Sequence, residues 1–395
     1  MKKVERKTYN LLKDLRQPAC IVLGMESFTG LSIIRSLGVM GVPVIGVDWS
    51  RLAIGAFSEY CSAAEFSRNE EDLLCLLGAI RRISRQRNVI ICESDKYLLF
   101  LDKYKHELDK DFFLTIPSRI LLSELMNKKR MMELAVEAGI DTPRTFSSSR
   151  FSEEEIKKKV LYPCFIKPLY TQTNLRTKGE IAKNERELEY SLAKERFKGG
   201  YIVQEIIGGP ETDIWIYAGY ISKNLKVGVT CYKYRQIPRG FGVGIVAFSM
   251  KNQDVQEAGN RFLDYLNYTG LFCLEFKKDS RDGKYKLLEI NPRICGQNQL
   301  FTFLGFNLPY IAYLDALSLK AEYPAAQKDG VLWVSVIEDF ITCCRYYCHY
   351  NKLIFIDWIR KSCQADVYAD FSMRDIKPFI FKLLKHVLRM NKTSN

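Results

Sequence analysis

The stretch KYKLLEINPRICGQNQ, Lys284 to Gln299, sets a carboxylate, an amide and a guanidinium (Glu289, Asn291, Arg293) at the end of an otherwise apolar strand. Just upstream, FCLEFKKDSRDGKYKLLEI holds Asp282-Gly283, a tight-turn signal between two strand-forming runs, so a β-hairpin is predicted. With the turn there, Glu275 falls nearly opposite Glu289. Side chains alternate along a strand, so Glu289 and Asn291 share one face, with Leu288 and Ile290 on the other. Two carboxylates that close raise one another's proton affinity. A hard divalent cation removes the conflict, because carboxylate and amide oxygens are what Mg2+ takes beside phosphates. The competing reading is a surface pair neutralised by Lys277 or Lys286, and the apolar frames LFCLEF and LLEI favour the metal.

Working outward, ACIVLGMESFTGLSIIRSLGVMGVPVIGVD reads as strand, glycine turn, helix and strand, with Gly24 and Gly30 bracketing the turn. G-x-G-x-x-G is absent, so the turn is expected to be structural and not a dinucleotide site. NVIICESD continues the same domain. The segment from Ser123 predicts a helix ending at Gly139. Then come the strand YPCFIKP, a polar loop, a helix, the strand YIVQEI, and DIWIYAGYISKNLKVGVTCYKYRQ, which alternates like antiparallel strands. Lys167 closes an apolar strand before a proline, an unusual place for a surface lysine, and Lys128 lies early in the preceding helix.

The order Lys128, Lys167 in FIKP, Glu205 in VQEII, Glu275 in LEF, and Glu289, Asn291 and Arg293 in LLEINPR resembles the ATP-grasp superfamily over about Cys20 to Lys320. Within it, the opening glycine turn, YKYRQIPRGFGVG and ADFSMRDIKPFIFKLL look most like carboxylate–amine ligases of the D-aspartate ligase type. The resemblance implies an α/β (α+β) chain in four parts. These are a basic tail (1–18), a Rossmann-like domain (19–120), an ATP-grasp domain of two α+β subdomains clamping ATP (121–320) and a mainly helical C-terminal region (321–395). It further implies that Lys128 and Lys167 contact ATP phosphates, and that Glu205 with the Ile206 and Ile207 backbone forms the adenine hinge. Glu211 or Asp213 would meet the ribose. Glu275, Glu289 and Asn291 would hold Mg2+, or Mn2+ in its place. Arg293 would steady the phosphoryl group or acyl phosphate. Lys233, Arg235 and Arg239 are candidates for phosphate or substrate carboxylate, Arg235 first. The loop LYTQTNLRTKGE has one glycine where many members have several, which shifts phosphate contact to Thr171, Thr173, Arg176 or Lys178.

The implied activity is ADP-forming ligation of a carboxylate and an amine through an acyl phosphate, on an amino acid and an acidic envelope or nucleotide-sugar precursor. The alternative is a nucleotide-binding scaffold without turnover. The oligomeric state stays open, a homodimer included. The three histidines sit in no convincing catalytic setting. Net charge is +13, but Lys and Arg interleave with aromatics only at YKYR, which argues against a nucleic-acid binder. No apolar run reaches a membrane span and the scattered cysteines read as reduced core thiols, so a cytoplasmic location, at most against the inner membrane face, is expected. The Cys343, Cys344, Cys348 and His349 cluster lacks zinc spacing and reads as a helix face. DIKPFIFKLLKHVLRMNK is a basic amphipathic helix. It can lie on an anionic membrane or dock its apolar face on the core; terminal helices usually close a fold, so docking is the expectation.

Overall fold

Three sheets organise the residues that the computed structural model describes, 4–169, 179–238, 242–344 and 353–393. The first is parallel. It comprises β1 (Cys20–Leu23), β2 (Val44–Asp48), β3 (Ala63–Phe66), β4 (Val89–Cys92) and β5 (Phe113–Leu114), in the order β3-β2-β1-β4-β5. Every residue of β1, β2 and β4 is buried, as a sheet covered on both faces requires. Gly24 leaves β1 at φ +98°, and a Cβ there would lie 2.1 Å from the Glu93 side chain, so conformation and close approach both demand glycine. Ser27 caps the helix Phe28–Gly38 by accepting from the N–H groups of Thr29 and Gly30, and Asp48 accepts from those of Met25 (2.6 Å) and Glu26 (3.1 Å). The N–H groups a phosphate would use are thus taken by a hydroxyl and a carboxylate. The segment expected as a tail contains the helix Arg6–Asp14, whose Leu12 is buried in the first sheet's core.

A small antiparallel sheet follows, with β6 (Thr145–Ser147), β7 (Cys164–Pro168), β8 (Glu180–Ala182) and β9 (Tyr201–Glu205) in the order β6-β9-β7-β8. Its apolar core, which includes Ile156, Ile166, Leu188, Phe197 and Val203, draws only on residues 146–203. The large sheet has the order β14-β13-β10-β11-β12-β15-β16. Its strands are β10 (Ile214–Ile221), β11 (Lys226–Ile237), β12 (Val243–Ser249), β13 (Gly270–Lys278), β14 (Tyr285–Asn291), β15 (Leu332–Val334) and β16 (Val367–Tyr368). It shares one continuous core with the first sheet, in which Val22, Ile33 and Ile34 meet Ile216, Val229 and Trp333.

The alternation at 214–237 and the hairpin at Asp282-Gly283 are both present, with Gly283 at φ +73°. Three readings differ. The helix expected from Ser123 to Gly139 breaks at Asn127, whose side chain accepts from the N–H groups of Lys129 and Arg130 and so starts a new helix, Lys128–Glu137. The C-terminal region, expected to be mainly helical, returns β15 and β16 to the large sheet; strands of three and two residues offer no period to read. The last helix, Lys377–Thr393, does not dock its leucines. It stacks Phe381 on Phe57 (ring centroids 4.0 Å apart) and buries Lys382 between Asp370 (2.9 Å) and Glu338 (3.3 Å). Burial would raise Glu338, but His386 and Lys382 bring its pKa down to about 2. Buried acids need a cation, and Lys382 supplies it, which fixes the helix's rotation with Ile380, Leu383, Leu384 and Leu388 facing solvent.

The segment before that helix is tied to the first domain by Arg35, which is 5% exposed. It donates to the Asp375 carboxylate (2.8 Å), the Asp375 carbonyl (2.9 Å) and the Asp370 carbonyl (3.2 Å). Arg35→Ala strands the buried Asp375 carboxylate. The expected loss is about 3–5 kcal/mol in urea unfolding, and a change near zero would show that the pair does not hold the C-terminal segment.

Candidate active site

A cleft runs between the small and large sheets, and it gathers six of the residues singled out in the sequence. Lys167 of β7, Glu205 of β9 and the following Ile206 and Ile207 line one side, with Glu275 of β13 and Glu289 of β14 on the other. Glu275 and Glu289 are direct partners across the hairpin. A bulge follows at once, since Phe276 pairs with Leu287 and Leu288 is the extra residue. Strict alternation put Leu288 on the far face; the bulge brings it beside Glu289 in the cleft.

Lys233, a sequence candidate for phosphate or substrate carboxylate, is turned to a carboxylate of the protein: it lies on β11, 1% exposed, and its Nζ donates to Glu275 Oε2 at 2.7 Å and to the Gly242 carbonyl at 3.3 Å. The signal was present, because Val227, Val229, Cys231 and Lys233 alternate onto one buried face. Nearby, Gln236 lines the cleft at 1% exposure, and its amide nitrogen has no hydrogen-bond partner among the described residues. Lys277 also lines it, donating to the Gly209 carbonyl at 3.1 Å. Burial lowers the Lys277 pKa, opposed by Asp213 and Glu211, so those two acids bear on the cleft through this lysine.

Downstream of Glu289 a polar chain leaves the cleft. The Asn291 amide donates to Glu289 Oε1 (3.1 Å), and Arg293 donates to Asn291 Oδ1 (3.3 Å), to the Ile294 carbonyl (3.1 Å) and to Asp95 Oδ1 (2.6 Å) in the first domain. Burial lowers the Arg293 pKa, but the attraction of and hydrogen bond to Asp95, with Cys273 and Glu93 adding to them, together raise it and keep the group cationic. Lys128 stands apart from the lining residues; its backbone N–H donates to the Leu169 carbonyl (3.2 Å), just past the strand that carries Lys167.

Arg235, the first choice for substrate, is corrected by its partners. Its guanidinium is 4% exposed and bonds Asp339 in two places (2.7 and 2.6 Å) and Asp357 (2.5 Å), so the fork is engaged by acids of the C-terminal region. Arg239, Thr171, Thr173, Arg176, Lys178, Cys348 and His349 lie outside the described residues. Among the described residues no group of three His, Cys, Asp or Glu side chains is arranged for a metal, so a cation at Glu275 and Glu289 would draw its other ligands from Asn291, phosphate or water.

The chain has been compared with known proteins. Residues 202–340 match the family model described as ATP-grasp in the biosynthetic pathway with Ter operon. The whole architecture resembles an ADP complex of N5-carboxyaminoimidazole ribonucleotide synthetase, at TM-score 0.64 and 14% identity over 83% of this chain and 85% of the other. It also resembles the biotin carboxylase domain of the Hydrogenobacter thermophilus 2-oxoglutarate carboxylase bound to MgADP, ADP and bicarbonate, at TM-score 0.61 and 15% identity over 80% and 73%. The fold is an ATP-grasp fold. In sequence, the chain is 25% identical over 276 residues to D-aspartate ligase of Enterococcus faecium, a match that spans 64% of this chain and 65% of the ligase, just under two thirds of that relative.

Between the two walls of the cleft, Glu205 anchors a compact cluster. One oxygen accepts from the Arg144 N–H (3.0 Å) and the other from Arg281 (3.1 Å), which also grips Asp279 (2.8 and 2.6 Å). Lys286 bonds Asp279 at 2.6 Å. The Arg281 hydrogen bond leads in holding the Asp279 carboxyl well below the usual range, against its burial. A depressed acid stabilises the fold above the unfolded aspartate pKa of about 3.9 and loses that contribution as pH falls through its folded value. Asp279→Asn should therefore cost about 2 kcal/mol at neutral pH. Melting curves should show the gap to the parent narrowing as pH falls below about 4; a gap constant with pH would refute the charged cluster.

Proposed function

We propose that the chain is an ATP-dependent, ADP-forming carboxylate–amine ligase acting through an acyl phosphate. The facing Glu275–Glu289 pair in a cleft that also carries Lys167 and the Glu205 hinge is the observation that carries this reading. The kinship with a D-aspartate ligase supports the reaction type. The donor set suits Mg2+, or Mn2+: Glu275, Glu289 and the Asn291 amide oxygen would hold it, with Lys233 supplying positive charge to Glu275 when no cation is bound. When bound, the ion would offset negative charge on the phosphates.

The chain's own groups would do the rest. The backbone of Ile206 and Ile207 would receive adenine, with Glu205 fixing the hinge, and Glu211 or Asp213 would take the ribose. Lys167, with Lys128 beside the same strand, would hold the phosphates and neutralise charge as the substrate carboxylate oxygen attacks the γ-phosphorus and ADP departs. Arg293 has two N–H groups beyond the three it uses on Asp95, Ile294 and Asn291, and these would steady the transferred phosphoryl group. The buried amide N–H of Gln236 would bind an oxygen of the acyl phosphate. An amine then attacks the acyl carbon and phosphate leaves. No protein nucleophile is needed, and the cleft lining described above contains no histidine.

For substrates we propose an amino acid and an acidic precursor of a cell-envelope or surface polymer, a nucleotide sugar included, handled in the cytoplasm. Among the described residues no helix is long and apolar enough to cross a membrane.

Phosphate release across a panel of amino acids and acidic acceptors tests this reading. One pair should stimulate release, and Glu289→Gln should lower it by about a hundredfold or more with an unchanged melting temperature. ATP binding with no stimulated release from any pair would favour a nucleotide-binding protein without turnover, and full activity in Glu289→Gln would overturn the metal site.

A further inference from the structure

The last helix is packed with its charges inward and its leucines outward. Phe381, Lys382, Lys385 and His386 face the protein, with Lys385 bonded to Glu26 and Lys382 to Asp370 and Glu338. On the opposite face Ile380, Leu383, Leu384 and Leu388 are 49%, 46%, 54% and 65% exposed. Their spacing makes one apolar stripe along the helix. The helix cannot roll to bury it without leaving the acids Asp370 and Glu338 without their lysine.

We propose that this stripe docks the protein on an anionic phospholipid bilayer, with the helix lying in the headgroup region. Charge decides the occupant. Lys377–Thr393 contains five Lys and Arg residues and no Asp or Glu; Lys382 and Lys385 are held by acids of the protein, yet from residue 345 to the end ten basic residues stand against four acidic ones, an excess of positive charge around the stripe. A second copy of the chain on the same stripe would set the same basic helix against itself across a two-fold axis, which like charges oppose. A negatively charged surface suits both features: the leucines enter the interface, and the net positive charge of the segment draws it to the headgroups. The ligase reading is not needed for this inference.

Sedimentation of the full chain with phosphatidylcholine vesicles, alone or mixed with phosphatidylglycerol, tests it. Binding should be about tenfold or more tighter to the mixed vesicles, since each basic side chain near such a surface adds roughly fivefold, and it should fall in high salt. Replacing exposed leucines in a Leu383→Glu, Leu384→Glu double variant should lower binding about tenfold or more while the melting curve stays unchanged. In Leu384→Trp, the added emission should shift to the blue with mixed vesicles only. Equal binding to both vesicle types, equal binding by parent and double variant, or a parent dimer that the double variant dissolves without change in vesicle binding would each overturn the proposal.

Discussion

Two carboxylates, Glu275 and Glu289, face each other across one rung of an antiparallel pair, and most of the surrounding polar architecture answers that constraint. Like charges at this spacing must be offset. Lys233 reaches Glu275 from β11, and Asn291 donates to Glu289 from the same strand. Arg293 then carries the network to Asp95 in the first domain. The rung therefore connects a buried strand of the large sheet, the exit of the hairpin and the helix that begins at Asp95 of the parallel sheet. Displacing any of the three would disturb the electrostatics of the pair.

The second organising feature is the Glu205 cluster. At the end of the small sheet, Arg281, Asp279 and Lys286 together fix one glutamate. The side chain of Glu205 thus ties the end of that sheet to the hairpin of the large one, and the two walls of the cleft are held at a set distance.

The parts legible in the sequence were those governed by local rules. Asp282-Gly283 fixes the hairpin register, and the register alone sets Glu275 opposite Glu289. Lys167 and Glu205 could be placed because each ends an apolar strand. The largest departures were long-range. Arg235 finds its partners at Asp339 and Asp357, more than a hundred residues on, and no local pattern announces them. The rotation of the last helix is set by Glu338, Asp370 and Phe57, not by its own hydrophobic period. The bulge at Leu288 lies between, a one-residue departure from alternation that only the paired strand reveals.

The small sheet keeps its apolar core to itself, whereas the first and large sheets share theirs. What joins it to the wall opposite is chiefly polar: Glu205 with Arg281 and Lys286, and the Lys277 contact at Gly209. A swing of this sheet away from the carboxylates would therefore open no shared hydrophobic core, and its heat-capacity change would be small beside that of unfolding. The enthalpy of such a swing would change little with temperature, and its balance between positions would respond to ionic strength.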